Sequence, residues 1–368
     1  MENESMSDRL LTPVQTLKTT GARALATWRM DEVRWLAAAQ LARDVPGESA
    51  HMNGGDSDIE APLFRMEGGR FLQDGALPLA GGEDVEYFEI GGRRFLAAAG
   101  IRTGRGPYDL NTQATLYEWR DGAWAPHQRF DVFAAKQWRA FSIGERHFLA
   151  LAQGVTVEGV NAVHPRTSRI FEWNGECFEA FQAIDGMWGY DWNYACRGDA
   201  HFLAYADHVS GSSVLRWDGA RFVTFQRFEE KGGRTFRFFE AQGAFWMVHV
   251  NLLGATTLYR LDGERFVEVQ HLGGAGGREL CLVEGAHGRY LVRVCFITGT
   301  PQAPIVESES QVFRWMGSGF ALAETFETSG ATSALSFMEG DTRYLAVTNS
   351  LSADQRFGVA STLYRFDV

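Results

Sequence analysis

The 368-residue sequence has little of what marks several large classes of protein. It has no cluster of Lys or Arg, and its formal net charge is -11. A phosphate backbone or an anionic membrane surface would be repelled, so neither nucleic acid nor a membrane is an expected partner. No stretch approaches the ~18 uninterrupted apolar residues of a membrane span. The opening MENESMSDRL is acidic and polar, with neither the basic start nor the apolar run of a secretory leader. The expectation is a cytoplasmic protein whose residues 1–10 are flexible. There are only four cysteines, Cys177, Cys196, Cys281 and Cys295, without a C-x-x-C pair or a His/Cys metal spacing, which predicts buried thiols rather than disulfides or a zinc site. G-x-S-x-G and H-E-x-x-H are absent, and Gly104-Arg-Gly106 sits in a predicted loop rather than a strand-to-helix turn.

What is present is repetition. An aromatic followed by two apolar residues recurs as WLA at Trp35, FLA at Phe95, Phe148 and Phe202, FWM at Phe245, YLV at Tyr290 and YLA at Tyr344. A second phrase follows each: FRM at Phe64, YEW at Tyr117, FEW at Phe171, LRW at Leu215, YRL at Tyr259, FRW at Phe313 and YRF at Tyr364. Its last residues, from Met66 to Phe366, lie 44 to 54 residues apart, the length of a four-stranded propeller blade. In the second copy, period-2 alternation predicts strand A over Asp84–Ile90, B over Phe95–Ala99, C over Ala114–Trp119 and D over Trp124–Phe130. Gly91-Gly92 turns A into B. The C-to-D hairpins, Asp121-Gly122, Asn174-Gly175, Asp218-Gly219 and Asp262-Gly263, carry the residues that supply the positive φ of a type I′ turn.

The predicted fold is therefore all-β: one seven-bladed β-propeller of four-stranded blades over residues 11–368. The last copy reaches only its strand C, whereas Leu11–Thr19 precedes the first strand A without a partner. Pairing the two closes the ring, with 11–20 as the closing strand.

The phrases Gln15-Thr-Leu17-Lys-Thr19-Thr-Gly21-Ala22, Phe88-Glu-Ile90, Phe141-Ser-Ile143, Tyr344-Leu-Ala-Val-Thr-Asn349 and Ser361-Thr-Leu-Tyr-Arg-Phe366 resemble those of the EPTP, or epilepsy-associated, repeat. That repeat forms the seven-bladed propeller of the leucine-rich glioma-inactivated proteins. The resemblance runs from about Leu11 to the C-terminus. It implies the same fold and, from the animal members, binding to cell-surface partners.

In such a ring the A-to-B and C-to-D turns share one face, and the B-to-C and D-to-A loops share the other. The B-to-C loops are long at Leu41–Asp58, Arg102–Gln113, Gln153–Ser168, Thr298–Ser310 and Asn349–Ser361, which makes theirs the candidate working face. Strand A starts on that face. Its first aligned position is Ala24, Asp84, Gln137, Asp191, Thr235, Glu279 and Ser333. Two residues on come Ala26, Glu86, Arg139, Asn193, Arg237, Cys281 and Leu335, predicted to point the same way. With Trp138, Trp188, Tyr190 and Trp192 they give a candidate site of polar groups and aromatic faces at the channel mouth. Paired charges lining a wet channel account for the same residues.

Two functions follow. The leading one is a binding propeller that engages a protein or a small molecule through its long-loop face and channel mouth. The alternative is a cofactor-independent enzyme acting on a small molecule, of lyase, cyclase, isomerase or hydrolase type, with Glu86, Asp191 or Glu279 as proton carriers and Arg139 or Arg237 holding an anion. No cofactor is expected, unless Asp84, Asp191 and Glu279 supply oxygens to a Ca²⁺ in the channel. His164 and His208 also fall in B-to-C loops. Pairing of the carboxylates with arginine would mark them as structural, and desolvation against Trp188 or Trp192 would mark a site.

Overall fold

A computed structural model describes residues 9–156, 164–300 and 303–368. Among these the strands form seven four-stranded antiparallel sheets and one small two-stranded hairpin, Thr298–Thr300 with Ala303–Ile305. The innermost strands A of blades 1 to 7 are Ala22–Met30, Gly82–Ile90, Ala135–Ile143, Gly189–Arg197, Gly233–Ala241, Gly277–Gly285 and Ala331–Glu339. Blade 2 continues with B over Arg93–Gly100, C over Asn111–Arg120 and D over Ala123–Phe133, each a little longer than its apolar alternation suggests because ladder hydrogen bonds extend past the last packed side chain.

The expected closure holds. Leu11–Leu17 pairs antiparallel with Ser361–Phe366 as strand D of blade 7, in register Leu11 with Phe366 and Leu17 with Ser361. Residues 1–8 of the segment expected to be flexible lie outside the described residues. Leu10 is anchored: its N–H donates to Glu324 Oε2 at 2.7 Å and its carbonyl accepts from the Asp367 N–H at 2.8 Å.

The core is a set of wedges between sheets. Seven apolar clusters each join two neighbouring blades, as where Phe95, Leu116 and Phe130 of blade 2 meet Trp138, Leu149 and Phe171 of blade 3. The third residue of each aromatic phrase, from Ala37 and Ala97 to Val292 and Ala346, is fully buried; blades converge towards the axis, and small side chains let them do so. An eighth cluster, including Leu41, Ile101, Leu252, Phe296 and Leu351, runs round the ring on the long-loop side.

Each blade carries two β-bulges at fixed places. One opens strand A, as between Gly82 and Asp84 or between Gly189 and Asp191. The other lies in the C–D pair, opposite or just before a glutamine of strand D in most blades. That glutamine clamps the next blade: Gln182 donates to the Phe222 carbonyl at 2.8 Å and accepts from the Phe222 N–H at 3.0 Å. Gln15, Gln128, Gln226 and Gln270 make the same pair of bonds to Phe71, Phe178, Phe266 and Phe320. Blade 6 has Glu324 instead, which only accepts. Blade 1 has Gly75-Ala76 there, and its joint to blade 2 is an aromatic stack of Trp28, Tyr87 and Trp124.

Two local expectations are corrected. Asp121 and Gly122 both have positive φ, at 52° and 82°, as type I′ requires. At Asn174-Gly175 and Asp218-Gly219 only the glycine does. There the loop is longer, and the Asn174 or Asp218 side chain accepts two following N–H groups, replacing the backbone turn. Asp262 pairs with Arg265 across Gly263-Glu264, again with positive φ at the glycine alone. The four cysteines are free thiols, but only Cys295 is buried; Cys177 and Cys281 are half-buried and Cys196 is exposed. Cys177 lies in a turn and Cys196 near the far end of a strand A, where neighbouring sheets no longer cover the chain.

Candidate functional site

Alternation along strand A brings much of the expected constellation together. Asp84, Gln137, Asp191 and Glu279, with Glu86, Arg139 and Arg237 a step deeper, line one cavity of about 310 Å³ on the axis. Tyr190 joins them at the mouth. Trp188 stacks on Tyr190 with ring centres 5.8 Å apart, half-buried behind it, and His208 meets both rings edge-on. Asn193 is half-buried but not part of the cavity wall.

Trp138 and Trp192 are not on the rim. Both are fully buried between sheets, Trp138 against Phe130 and Phe171, Trp192 against Tyr205. The reason is the same alternation: with residues 137 and 139 facing the channel, residue 138 must face the blade.

The first ring of side chains is committed to structure. Strand A has one edge without a ladder partner, and its N–H groups need acceptors. Asp84 Oδ2 accepts the Trp138 N–H of the next blade at 2.8 Å, Gln137 Oε1 accepts the Trp192 N–H at 2.7 Å, and Asp191 Oδ2 accepts the Phe236 N–H at 3.3 Å. Three of the carboxylates also have an arginine partner. Glu86 lies 3.2 Å from Arg139, and Arg237 bridges Asp191 at 3.2 Å and Glu279 at 2.7 Å. Burial raises the pKa of Asp84 well above the carboxylate range, with Glu86 adding to it. Glu86 and Glu279 are also raised by burial, against the pull of Arg139 and of Arg237 respectively. Arginine pairing thus marks Glu86, Asp191 and Glu279 as structural by the criterion set from sequence. Among the described residues no three His, Cys, Asp or Glu side chains are placed to share a metal ion. The donor set does not fit Ca²⁺, because the Arg237 guanidinium already stands between Asp191 and Glu279.

A further ring lines the mouth, of which the sequence pointed only to Tyr190. The bulge at the start of each strand A turns one extra residue into the channel: Arg23, Glu83, Lys136, Tyr190, Arg234, Arg278 and Thr332. Strict alternation sends this column into the core, and its run of charges at a supposedly buried position was the available signal. The ring holds four cations and one carboxylate. Glu83 Oε1 lies 3.5 Å from Arg23 and 3.4 Å from Lys136, and its Oε2 lies 3.7 Å from Arg278. Burial alone would raise the Glu83 pKa, but Lys136, Arg23 and Arg278 together hold it below its ordinary value. Over the Tyr190 ring sit Arg234 at 3.8 Å, Arg278 at 4.7 Å and Lys136 at 5.0 Å. Burial opposes ionisation of Tyr190, yet Arg234, Lys136 and Arg278 bring its phenol down to about 8. Burial, helped by Arg234, lowers His208 to about 3.

The long loops round this mouth are laced across blades. Arg102 of blade 2 donates to the Asn53 and Gly54 carbonyls of blade 1 at 2.6 Å each and stacks on Tyr108. Asp44 of blade 1 accepts the Phe357 and Gly358 N–H groups of blade 7. Phe357 is buried against Gly21 and Gly55, where a Cβ would come within 2.9 Å and 2.8 Å of its ring. The middle of the loop expected at Gln153–Ser168, residues 157–163, lies outside the described residues, and His164 beyond it bonds the Met187 carbonyl.

Fold and site define a seven-bladed β-propeller with a charged, blade-capped channel and one built-up face. The family model described as "EPTP domain" matches residues 125–174 and 178–218, so the resemblance read from the repeats is found again in these two stretches. Each match runs from a strand D through the A, B and C of the next blade, the same offset by which Leu11–Leu17 serves as a strand D. Similar proteins include the thrombospondin-type laminin G domain and EAR repeat-containing proteins of Mus musculus, 27% identical over 172 residues, and of Homo sapiens, 29% identical over 153 residues. The matches cover 45% and 40% of this chain but 24% and 22% of those proteins, so the chain matches about a quarter of their length.

Proposed function

We propose that this chain is a binding propeller that docks a protein partner on the face carrying the long B-to-C loops. The observation that carries this reading is the lacing of the loops of blades 7, 1 and 2 through Arg102, Asp44 and Phe357. Loops tied to one another by buried side chains and carbonyl bonds form a surface ordered before a partner arrives, which lowers the entropy lost on docking. The opposite face offers tight turns and short hairpin loops of at most four residues. The EPTP repeats support the same reading, since propellers of that family mediate protein interactions. Arginine pairing of Glu86, Asp191 and Glu279 leaves the enzymatic reading without a free proton carrier among the candidates named for it.

The test is photo-crosslinking from single positions in the cell of origin. A photoreactive residue at exposed Glu48 or Leu253 on the loop face is compared with one at Asp121 on the turn face. The expected result is one discrete adduct shared by the two loop-face positions and absent from Asp121. Adducts of equal yield from both faces, or from Asp121 alone, would overturn the assignment of the face.

A further inference from the structure

We propose that the bulge ring is a binding site for a small oxyanion carrying two or more negative charges, of the phosphate class, held by Arg23, Lys136, Arg234 and Arg278. Charge is the first ground. In the bulge ring four cations face one carboxylate, and over the whole cavity wall six cations face five carboxylates, so positive charge is concentrated at the mouth of a chain whose net charge is -11. Three of the ring cations are deeply placed, Arg23 at 8% exposed, Lys136 at 6% and Arg234 at 5%, and Arg278 is half-buried. Buried charge without a close counter-charge is unfavourable, so the cations gathered at the mouth call for an anion there.

Hydrogen bonding is the second ground. The contacts of Glu83 to its three cations, 3.4 to 3.7 Å, are longer than the ~2.7–2.9 Å of a direct charge-assisted bond. Arg234 has no carboxylate partner among the described residues; it donates to the Gly233 carbonyl at 3.2 Å, and its buried Nε finds no acceptor. The buried Nε of Arg23 has no hydrogen bond either. Both arginines line the cavity. The acids beneath are already engaged, Asp84 by the Trp138 N–H and Asp191 and Glu279 by Arg237. Arginine forks with free N–H groups match the oxygens of a tetrahedral anion, and lysine adds a point charge. A cavity of about 310 Å³ admits phosphate with a short organic tail, and a cation would be repelled. Inorganic phosphate and a phosphomonoester share this chemistry.

The experiment uses the whole protein in a buffer free of phosphate and sulfate at fixed ionic strength, titrated calorimetrically with inorganic phosphate and, in a second arm, with glycerol phosphate. Saturable binding is expected from at least one arm, with chloride giving none. The arm that binds tighter names the source. Affinity should fall at least tenfold in Arg234→Gln and in Lys136→Met and be unchanged in Arg70→Ala, an exposed site on an outer strand. Tyr190 provides a readout in the unaltered protein: its phenolate absorbance should titrate at higher pH once the anion neutralises the ring, and Tyr190→Phe, which should lose the transition, assigns it. No saturable binding of either anion up to ~10 mM, or binding that leaves the phenol titration unmoved, would overturn the assignment. No protein partner takes part, so failure here leaves the docking reading standing, and failure of the crosslinking leaves this one.

Discussion

A glutamine on an outer strand and a histidine inside a sheet show how single residues hold this ring together. Gln182 satisfies both the N–H and the carbonyl of Phe222 on the next blade, and Gln182→Ala leaves both without that partner. The expected loss is about 1–3 kcal/mol, read from chemical unfolding, with Gln182→Glu intermediate because it can accept but not donate. His249 stacks on Phe236 at 4.1 Å, and burial lowers its pKa to about 3. The unfolded state therefore binds a proton near pH 6.5 that the folded state refuses until about 3, so stability is full above 6.5 and is lost as pH falls through that window. Replacing His249 by Phe should move the acid-unfolding midpoint to lower pH. An unchanged midpoint would assign the acid sensitivity elsewhere, His208 first, since it is depressed in the same direction. The glutamines were legible: Phe178, Phe222 and Phe266 each stand four residues before a Gln. Apolar periodicity does not reveal them, because one side chain bonding another blade's backbone leaves no periodic trace.

Strands carry the next layer, and bulges carry the difference between the expected and the observed site. A bulge adds one residue to a strand without changing which residues are apolar overall, so periodicity places the rest of strand A correctly and misassigns the one extra position. Asp84, Gln137, Asp191 and Glu279 were therefore found, whereas Arg23, Lys136, Arg234 and Arg278 were not. Trp138 and Trp192 failed in the opposite direction, because nearness in sequence to Asp191 or Gln137 was taken for nearness in space. The closing strand is the element most open to test. Leu11–Leu17 brings the pairing with Ser361–Phe366, the Gln15 clamp on Phe71, and buried Leu11 and Leu17. Deleting residues 1–20 should expose the edge of strand Ser361–Phe366 and replace one cooperative thermal transition by a lower, broader one, measured by calorimetry. A sharp transition at the original temperature would mean that the ring does not depend on this strand.

For the molecule as a whole, stability is a sum over seven similar joints, and the joints are unequal. Five have a two-bond glutamine clamp, one has Glu324, and the joint between blades 1 and 2 relies on Trp28, Tyr87 and Trp124. Native-state hydrogen exchange should therefore show strand D of blade 2, Ala123–Phe133, which receives no glutamine from blade 1, opening before strands D of blades 3 to 5, which are clamped on both sides. Uniform protection round the ring would remove the clamp from the account. The same ring sorts charge by depth, cations at the mouth and paired acids beneath, in a chain that is acidic overall.

Sequence by itself determined the number of blades, the order of strands, the closure and the face with long loops, because each depends on local chemistry repeated seven times: apolar alternation, glycine turns and aromatic phrases. Tertiary structure alone decided which charges meet. The cation ring, the edge caps on strand A and the arginine bridge between Asp191 and Glu279 join residues some 40 to 250 positions apart, and they exist only once bulged strands converge on a common axis.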